Sequence, residues 1–433
     1  MIMEKIAVPE GLFDGQLKKR LETLSKFKMK GINRTENGWI NLHVHTNESF
    51  SAFRSPAEAV WHASNQNIEY FGINDHYTVD GYAEFRSACK IMKLKATFSI
   101  EAIAMDKEKH KNKRRFNDPD NPGRIYIIGK GVSCDLENGS REQSVLLTMR
   151  ESIRKRNKRI AEKLNRYAED KGHSLNFSYS DVRSLTPRGN TTERHVVQAF
   201  CEKINSLYKN KDVQFDIYKK LLDCEIDENT LADSSELQTL VRAKLIKTGM
   251  PCYVEEDSKA FTSIRNLIDI HRKYGAIPSY GLMGNPITEE EEDFDALVKT
   301  VKSYGIYAFD LFEFRTELKR AKEIVKTASY YGIPVFIGTE HNTKKLLPLT
   351  GEIGKDPDLH KYLRKSADFL CGHQLLSDVC GIGYLTPEGK PRFGDAKEGF
   401  LFFSRIGKLD LSEEKIEELR KKDLKERKIY FGC

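Results

Sequence analysis

The sequence predicts an α/β protein in which strands and helices alternate around a parallel sheet or barrel, interrupted by a helical insertion and followed by a C-terminal α-helical extension. Three observations lead there. Short β-rich runs alternate with helical patterns over the first 131 residues; long charged helices take over from about 141 to 245; and helix, Gly turn and strand then recur three times before residue 350.

In chain order, "INLHVH" reads as a strand, "SPAEAVWHASNQN" as a helix, "YFGIND" as a strand and "GYAEFRSACKIMK" as a helix. "KATFSIEAIAM" and "RIYIIGKG" follow as strands. "QSVLLTMRESIRKRNKRIAEKLNRYAEDKG" is a long helix with Gly172 as its stop. "SIRNLIDIHRKYGAIPSYG", "DALVKTVKSYGIYAFDLFEF" and "RAKEIVKTASYYGIPVFIGTEHN" are the three later units. Near the C-terminus, "LDLSEEKIEELRKKDLKERK" is a helix with Ser412 as N-cap and Leu411 with Ile416 at hydrophobic-staple spacing. These divisions give an N-terminal extension over 1–37, a barrel over 38–349 with its insertion, and a C-terminal extension over 350–433.

Composition bounds the class. At 433 residues, 39% apolar and 31% charged, the chain reads as a soluble protein of two or three domains. The N-terminal "MIMEKIAVPEGLFDGQ" lacks the apolar core of a signal peptide, and no run approaches about 18 uninterrupted apolar residues, so a cytoplasmic location without membrane association is expected. Eight cysteines without C-x-x-C pairs argue against a zinc ribbon or a disulfide framework. The net charge of +7 is concentrated in "KEKHKNKRR", "RESIRKRNKR" and "RKKDLKERK"; these read as solvated faces first and nucleic-acid contacts second.

Polar residues gather at strand ends. A strand sends i and i+2 to the same face, so His43 and His45 project side by side, a geometry suited to one metal ion. Asp75 and His76, Glu101, and Glu340 with His341 end three further strands, and in a parallel β/α architecture such ends share one rim. Each alone is an ordinary polar residue. Together they point to a metal site.

The ordered set "LHVHTNES", "GINDHYTVDGYAEFRSACK", "SIEAIA", "GNTTERHVVQAFCEKI" and "GTEHN" resembles the motifs of the PHP (polymerase and histidinol phosphatase) superfamily, nearest to the DNA polymerase III alpha-subunit PHP domain and the stand-alone PHP phosphoesterases. The likeness covers roughly 38–345. It implies a distorted (β/α)7 barrel with two or three metal ions at the strand C-termini and a phosphoesterase reaction. Carried over by position, His43, His45, His76, Glu101, His195 and Glu340 match ligand positions, with Glu101 as the carboxylate that bridges two metals.

Four departures accompany the match. Phe50 and Ser51 replace the end of the first motif, "GAIPSYGLMGNP" offers Tyr280 in place of a histidine, the last motif is "EHN", so that Asn342 or His341 fills its final ligand position, and Glu193-Arg194 replaces Arg-Pro. Two ions are therefore expected rather than three. The mixed nitrogen and oxygen donors suit manganese, iron or zinc alike. In this reading His43, His45, Glu101 and Glu340 hold one ion, and His195 reaches a second. His76 completes a further site or acts as general acid, Asp75 orients a ligand histidine, and Arg194 and Arg315 take the phosphate.

The expected function is a metal-dependent phosphoesterase acting on a small phosphorylated metabolite or nucleotide. Behind it stand a PHP-type nuclease acting on polynucleotide ends and a catalytically degenerate binding module. Oligomeric state is not legible in the sequence.

Overall fold

Seven strands hydrogen-bond in chain order: β1 (Trp39–Val44), β2 (Ile68–His76), β3 (Lys95–Met105), β4 (Arg124–Lys130), β5 (Ile277–Leu282), β6 (Ala308–Phe312) and β7 (Val335–Gly338). The computed structural model describes residues 7–28, 38–186, 188–284, 286–409 and 411–433. Residues 1–6 and 29–37, which include the beginning of the expected N-terminal extension and its junction with the barrel, lie outside them.

The sheet closes on itself just past β7. His45 N–H donates to the Glu340 carbonyl at 2.8 Å, and Glu340 N–H donates to the His43 carbonyl at 3.0 Å. Closure demands a close approach, and Gly338 permits it: a Cβ there would lie 2.2 Å from His43 Cβ. The strands β5, β6 and β7 are buried along their whole length, which explains their near-continuous apolar runs.

The barrel is not all-parallel, and here the sequence-based expectation is corrected. β4 runs antiparallel to both β3 and β5, while the remaining neighbours are parallel. The cause lies in the connection. Residues 106–123 return directly from the end of β3 to β4, with one short helix (Lys107–Lys111) and no crossover helix packed on the barrel. β4 therefore descends, and its last residue, Lys130, pairs with the first residue of β5, Ile277, low in the barrel.

From there the chain climbs back along the helix Arg141–Asp170, whose 30 residues span about 45 Å. The helices that follow bury a core of their own, built from residues such as Leu164, Phe177, Phe200, Tyr218, Leu245 and Val254. The helix Ile264–Lys273 then leads down to β5.

The C-terminal segment closes the opposite mouth. The helix Pro357–Cys380 lies across the amino-terminal ends of the parallel strands. Its Asp368 accepts from Tyr70 Oη at 2.6 Å, Ser366 Oγ accepts from Val335 N–H at 3.1 Å, and Gln374 accepts from Phe98 N–H at 3.0 Å. No helix among the described residues is long and apolar enough to cross a membrane.

Candidate metal centre

Among the described residues, one trio of ligand-type side chains converges. One ligand atom from each of His43, His45 and Glu101 lies within 4.8 Å of the others, and all three residues are buried. Strand geometry places them there. The two histidines leave the carboxyl end of β1 on one face, and Glu101 stands on β3 two strands away, with β2 between.

The hydrogen bonds decide which histidine atoms face the centre. His43 Nδ1 is 3.0 Å from Asp310 Oδ1, so Nε2 is turned toward Glu101 Oε2, 3.2 Å away. His45 Nδ1 is 3.4 Å from Ser49 Oγ, and its buried Nε2 has no hydrogen-bond partner among the described residues. An orphaned imidazole nitrogen in a dry site is costly unless something else fills its lone pair. The trio therefore fits a divalent cation: two imidazole Nε2 atoms and one carboxylate is a common transition-metal donor set.

Electrostatics agree with that fit. Burial, reinforced by His76 and His43, drives His45 well below the ordinary histidine range and keeps its imidazole neutral. Burial opposes ionisation of Glu101, but His76 and His43 outweigh it and hold the carboxyl below its usual value. For His43, burial is outweighed by Asp310 and Glu101, and its pKa rises.

The other expected residues are placed as follows. His76 sits in register opposite Glu101, with its Nδ1 3.4 Å from Glu101 Oε1 and its ring stacked on His45 at 4.5 Å. That Nδ1 is also buried and makes no hydrogen bond among the described residues. Glu340 faces the cavity above the trio and pairs with Arg315 Nε at 2.6 Å, with Asn342 Nδ2 3.5 Å away.

His341 is turned away. Glu340 and His341 both adopt left-handed backbone, φ 58° and 57°, a strained turn for two non-glycine residues. The turn sends His341 to stack on Phe53 at 4.9 Å, with Nδ1 held by Thr339 Oγ1 and Nε2 by the Leu347 carbonyl. Both ring nitrogens are thereby committed outside the trio.

His195 is not brought to the trio either. It lies in the first turn of the helix Glu193–Leu207, where its Nδ1 accepts from Thr192 N–H at 3.0 Å and its ring meets Phe50 edge-on at 4.9 Å. Burial pushes its pKa down to about 3. Successive helix residues point about 100° apart, so Glu193, Arg194 and His195 face three directions. Glu193 and Arg194 both line the cavity, and His195 does not.

Asp75 does not touch a ligand histidine. Its carboxylate accepts from Thr46 N–H (2.7 Å), Thr46 Oγ1 (2.6 Å) and Ser49 Oγ (2.6 Å). It reaches His45 only through Ser49.

Above the trio lies a cavity of about 370 Å³, bounded by the strand ends on one side and the helical insertion on the other. Arg124, Arg156, Arg194, Arg242, Lys247 and Arg315 all line it. Most are spoken for: Arg156 and Arg242 clasp Glu193 at 2.7 and 2.6 Å, and Arg124 pairs with Glu256. Arg194 makes no ion pair or hydrogen bond among the described residues. Burial, with Arg242 adding to it, lowers its pKa to about 10, which leaves it cationic at neutral pH. A larger groove of about 1460 Å³ lies beyond Arg124 and Glu256, away from the trio.

No protein-family model matches the chain, and no curated protein sequence does. Solved structures do. A Bifidobacterium adolescentis protein, provisionally assigned as a metal-dependent phosphoesterase, superposes with a TM-score of 0.53 at 15% identity, over 77% of this chain and 98% of that one. The chain shares that barrel fold. An amidohydrolase from Chromobacterium violaceum with bound sulfate and no metal also matches, at a TM-score of 0.48 and 15% identity, over 75% of this chain and 96% of that one. At such identity the likeness to the Bifidobacterium protein speaks for the fold, and the chemistry has to be argued from the side chains.

Sequence reasoning missed two participants. Asn74 donates to Glu101 Oε2 at 2.9 Å and lies 2.8 Å from His43 Nε2; it is the third-last residue of a strand whose final two drew attention first. Asp310 is embedded in the apolar run "YAFDLF", and a charged residue inside such a run was the available signal.

Proposed function

We propose that this protein is a metal-dependent hydrolase acting on a phosphate ester of a small metabolite or nucleotide. The observation that carries the reading is the buried trio of His43, His45 and Glu101, with the unpaired Arg194 in the cavity above it. A cationic side chain that makes no ion pair among the described residues and lines a cavity suits an anionic ligand. The provisional assignment of the Bifidobacterium protein adds support from a relative of the same fold.

His43 Nε2, His45 Nε2 and a Glu101 oxygen would hold a divalent cation of the manganese, iron or zinc kind. Such an ion supplies a water of lowered pKa for attack on phosphorus. The second Glu101 oxygen faces His76 Nδ1 at 3.4 Å, and this pair is our candidate for a second cation position. Arg194, and Arg315 on leaving Glu340, would bind the phosphoryl oxygens and neutralise their charge in the transition state. In the alternative use of His76, its ring would deliver a proton to the departing oxygen. The helical insertion bounds the cavity on the side away from the strand ends, with Arg156, Asn157 and Arg194 among its lining.

The polynucleotide reading has less support. In the basic run at 107–115, Lys109 and Arg114 bind Glu290 at 2.8 and 2.6 Å, and Arg115 binds Glu289 at 2.5 Å. Three of the six Lys and Arg side chains in that run are thus paired with the two carboxylates of Glu289 and Glu290.

The test is metal content alongside hydrolysis of a generic aryl phosphate. We expect at least one equivalent of transition metal in protein purified without chelator. In Glu101→Gln we expect normal circular dichroism, loss of metal, and hydrolysis slower by three orders of magnitude, about 4 kcal/mol in barrier height. Hydrolysis at the wild-type rate in that variant would place the activity elsewhere.

A further inference from the structure

Below the trio, the barrel interior holds a second polar layer that the proposed chemistry does not use. Asp310 on β6 is fully buried, and its carboxylate is saturated with donors. Oδ1 receives Lys130 Nζ at 2.5 Å and stands 3.0 Å from His43 Nδ1, while Oδ2 accepts from Ser279 Oγ at 2.6 Å. Lys130 is also fully buried, and its Nζ donates to the Leu42 carbonyl at 2.9 Å, one residue before His43.

A buried ion pair is a poor device for stability, because desolvating both charges offsets most of their attraction, and apolar residues of similar volume do as well. This pair has one polar client. Asp310 grips the imidazole of His43 and Lys130 grips the backbone beside it. Phe312 packs edge-on against the same ring at 4.9 Å, and the Cα of Gly338 leaves no slack on the other side.

We propose that Asp310, held by Lys130 and Ser279, is a positioning residue that fixes the tautomer and ring orientation of His43 for metal binding. With Nδ1–H donating to Asp310, the Nε2 lone pair faces the centre, where Asn74 Nδ2 lies 2.8 Å and Glu101 Oε2 3.2 Å away. Flipping the ring would break the contact between Nδ1 and Asp310 Oδ1 and leave that oxygen with only Lys130 as its donor, so one orientation is favoured. The antiparallel course of β4 matters here: it brings Lys130 to the low end of the barrel, from which a long side chain reaches up to Asp310. Sequence position alone does not connect Lys130, Asp310 and His43, which come from three strands.

The inference rests on the metal-centre reading, and its test separates the two. Manganese binding is measured by calorimetry on wild-type and Asp310→Asn protein stripped with chelator, and the protonated nitrogen of His43 is read by ¹⁵N NMR in both metal-free proteins. We expect Asp310→Asn to weaken manganese binding roughly 10- to 100-fold and to remove the single Nδ1–H form of His43. Because Asp310→Asn strands a buried lysine and could lower stability, Lys130→Met/Asp310→Asn is measured as well. The double variant should regain thermal stability yet still bind manganese weakly. Ser279→Ala, which removes only the Oδ2 contact, should have a smaller effect on both readouts. Wild-type manganese affinity with an unchanged His43 tautomer in Asp310→Asn would overturn the proposal. Failure of wild-type protein to bind manganese would instead overturn the metal-centre reading, and the NMR comparison would still decide what Asp310 does to His43.

Discussion

Three consecutive residues, Glu193, Arg194 and His195, carry three different jobs, and they show how finely function is divided at the residue scale. Glu193 is clasped by Arg156 and Arg242, Arg194 faces the cavity unpaired, and His195 caps its own helix. Removing Arg194 leaves no stranded partner. Arg194→Ala should therefore melt within a degree or two of wild type while KM for an aryl phosphate rises by roughly 10- to 100-fold, the worth of a charge-assisted hydrogen bond. An unchanged KM would exclude it from phosphate binding. Glu193 should behave in the opposite way. Burial would raise its pKa, but Arg242 and Arg156 hold it down at about 2 against an ordinary 4.5. A carboxyl depressed on folding stabilises the protein above the unfolded value and loses that contribution as pH falls through the folded one. About 3 kcal/mol should thus disappear between pH 4.5 and 2. Melting temperatures of metal-free protein across this range should fall less steeply in Glu193→Gln, and parallel curves would refute the assignment.

At the scale of elements, the decisive feature is the seam between β1 and β7. The seam carries His43 and His45 on one side and Glu340 on the other, so its closure and the site's assembly are one event. Gly338 is where the strands approach most closely. Gly338→Ala would push its methyl group into His43 Cβ, 2.2 Å away, and overpacking of this kind costs about 1–3 kcal/mol. The expected outcome is a folded barrel of lowered melting temperature that binds manganese poorly, since the displaced atom belongs to a ligand. Full metal affinity in Gly338→Ala would mean that the seam tolerates movement. Much at this scale was legible beforehand. Ser412 caps the helix Glu413–Lys421 through Lys415 N–H, as its position ahead of an acidic first turn indicated. The helix Arg141–Asp170 ends just before Gly172, whose φ of 88° favours glycine. The direction of β4 was not legible, because "RIYIIGKG" reads the same either way up; only the route of residues 106–123 decides it.

For the whole molecule, the helical insertion and the C-terminal helix act on opposite ends of one barrel. The insertion roofs the rim: Arg188 reaches Glu48 at 2.7 Å, and Asn190 Nδ2 donates to the carbonyls of Glu48 and His76, each at 2.9 Å. The C-terminal helix Pro357–Cys380 packs across the base through Ser366, Asp368 and Gln374. In the basic run at 107–115, Lys109, Arg114 and Arg115 lean on Glu289 and Glu290. We therefore expect DNA and RNA to bind only in the non-specific range, roughly 10⁻⁴–10⁻⁶ M at physiological salt. Replacing Lys111, Lys113, Arg114 and Arg115 with neutral residues should leave aryl phosphate hydrolysis unchanged. Nanomolar, salt-sensitive nucleic-acid binding that vanishes in this variant would favour the nuclease reading.

By itself the sequence determined the alternation of strands and helices, the long insertion, and the pairing of His43 with His45, because periodicity and i, i+2 geometry are local properties of the chain. It also singled out Glu101, although the expected strand end there is not one: β3 runs four residues further, to Met105. Which of the remaining polar residues meet was decided by tertiary structure. His195 and His341 have the right chemistry, but helix register and a left-handed turn aim them elsewhere. Asn74 and Lys130 carry no local signal of joining a site, Asp310 shows only as a charge inside an apolar run, and the barrel brings the three to it from three strands. A ligand's identity is written one residue at a time, whereas its orientation depends on partners that only closure of the barrel brings within hydrogen-bonding reach.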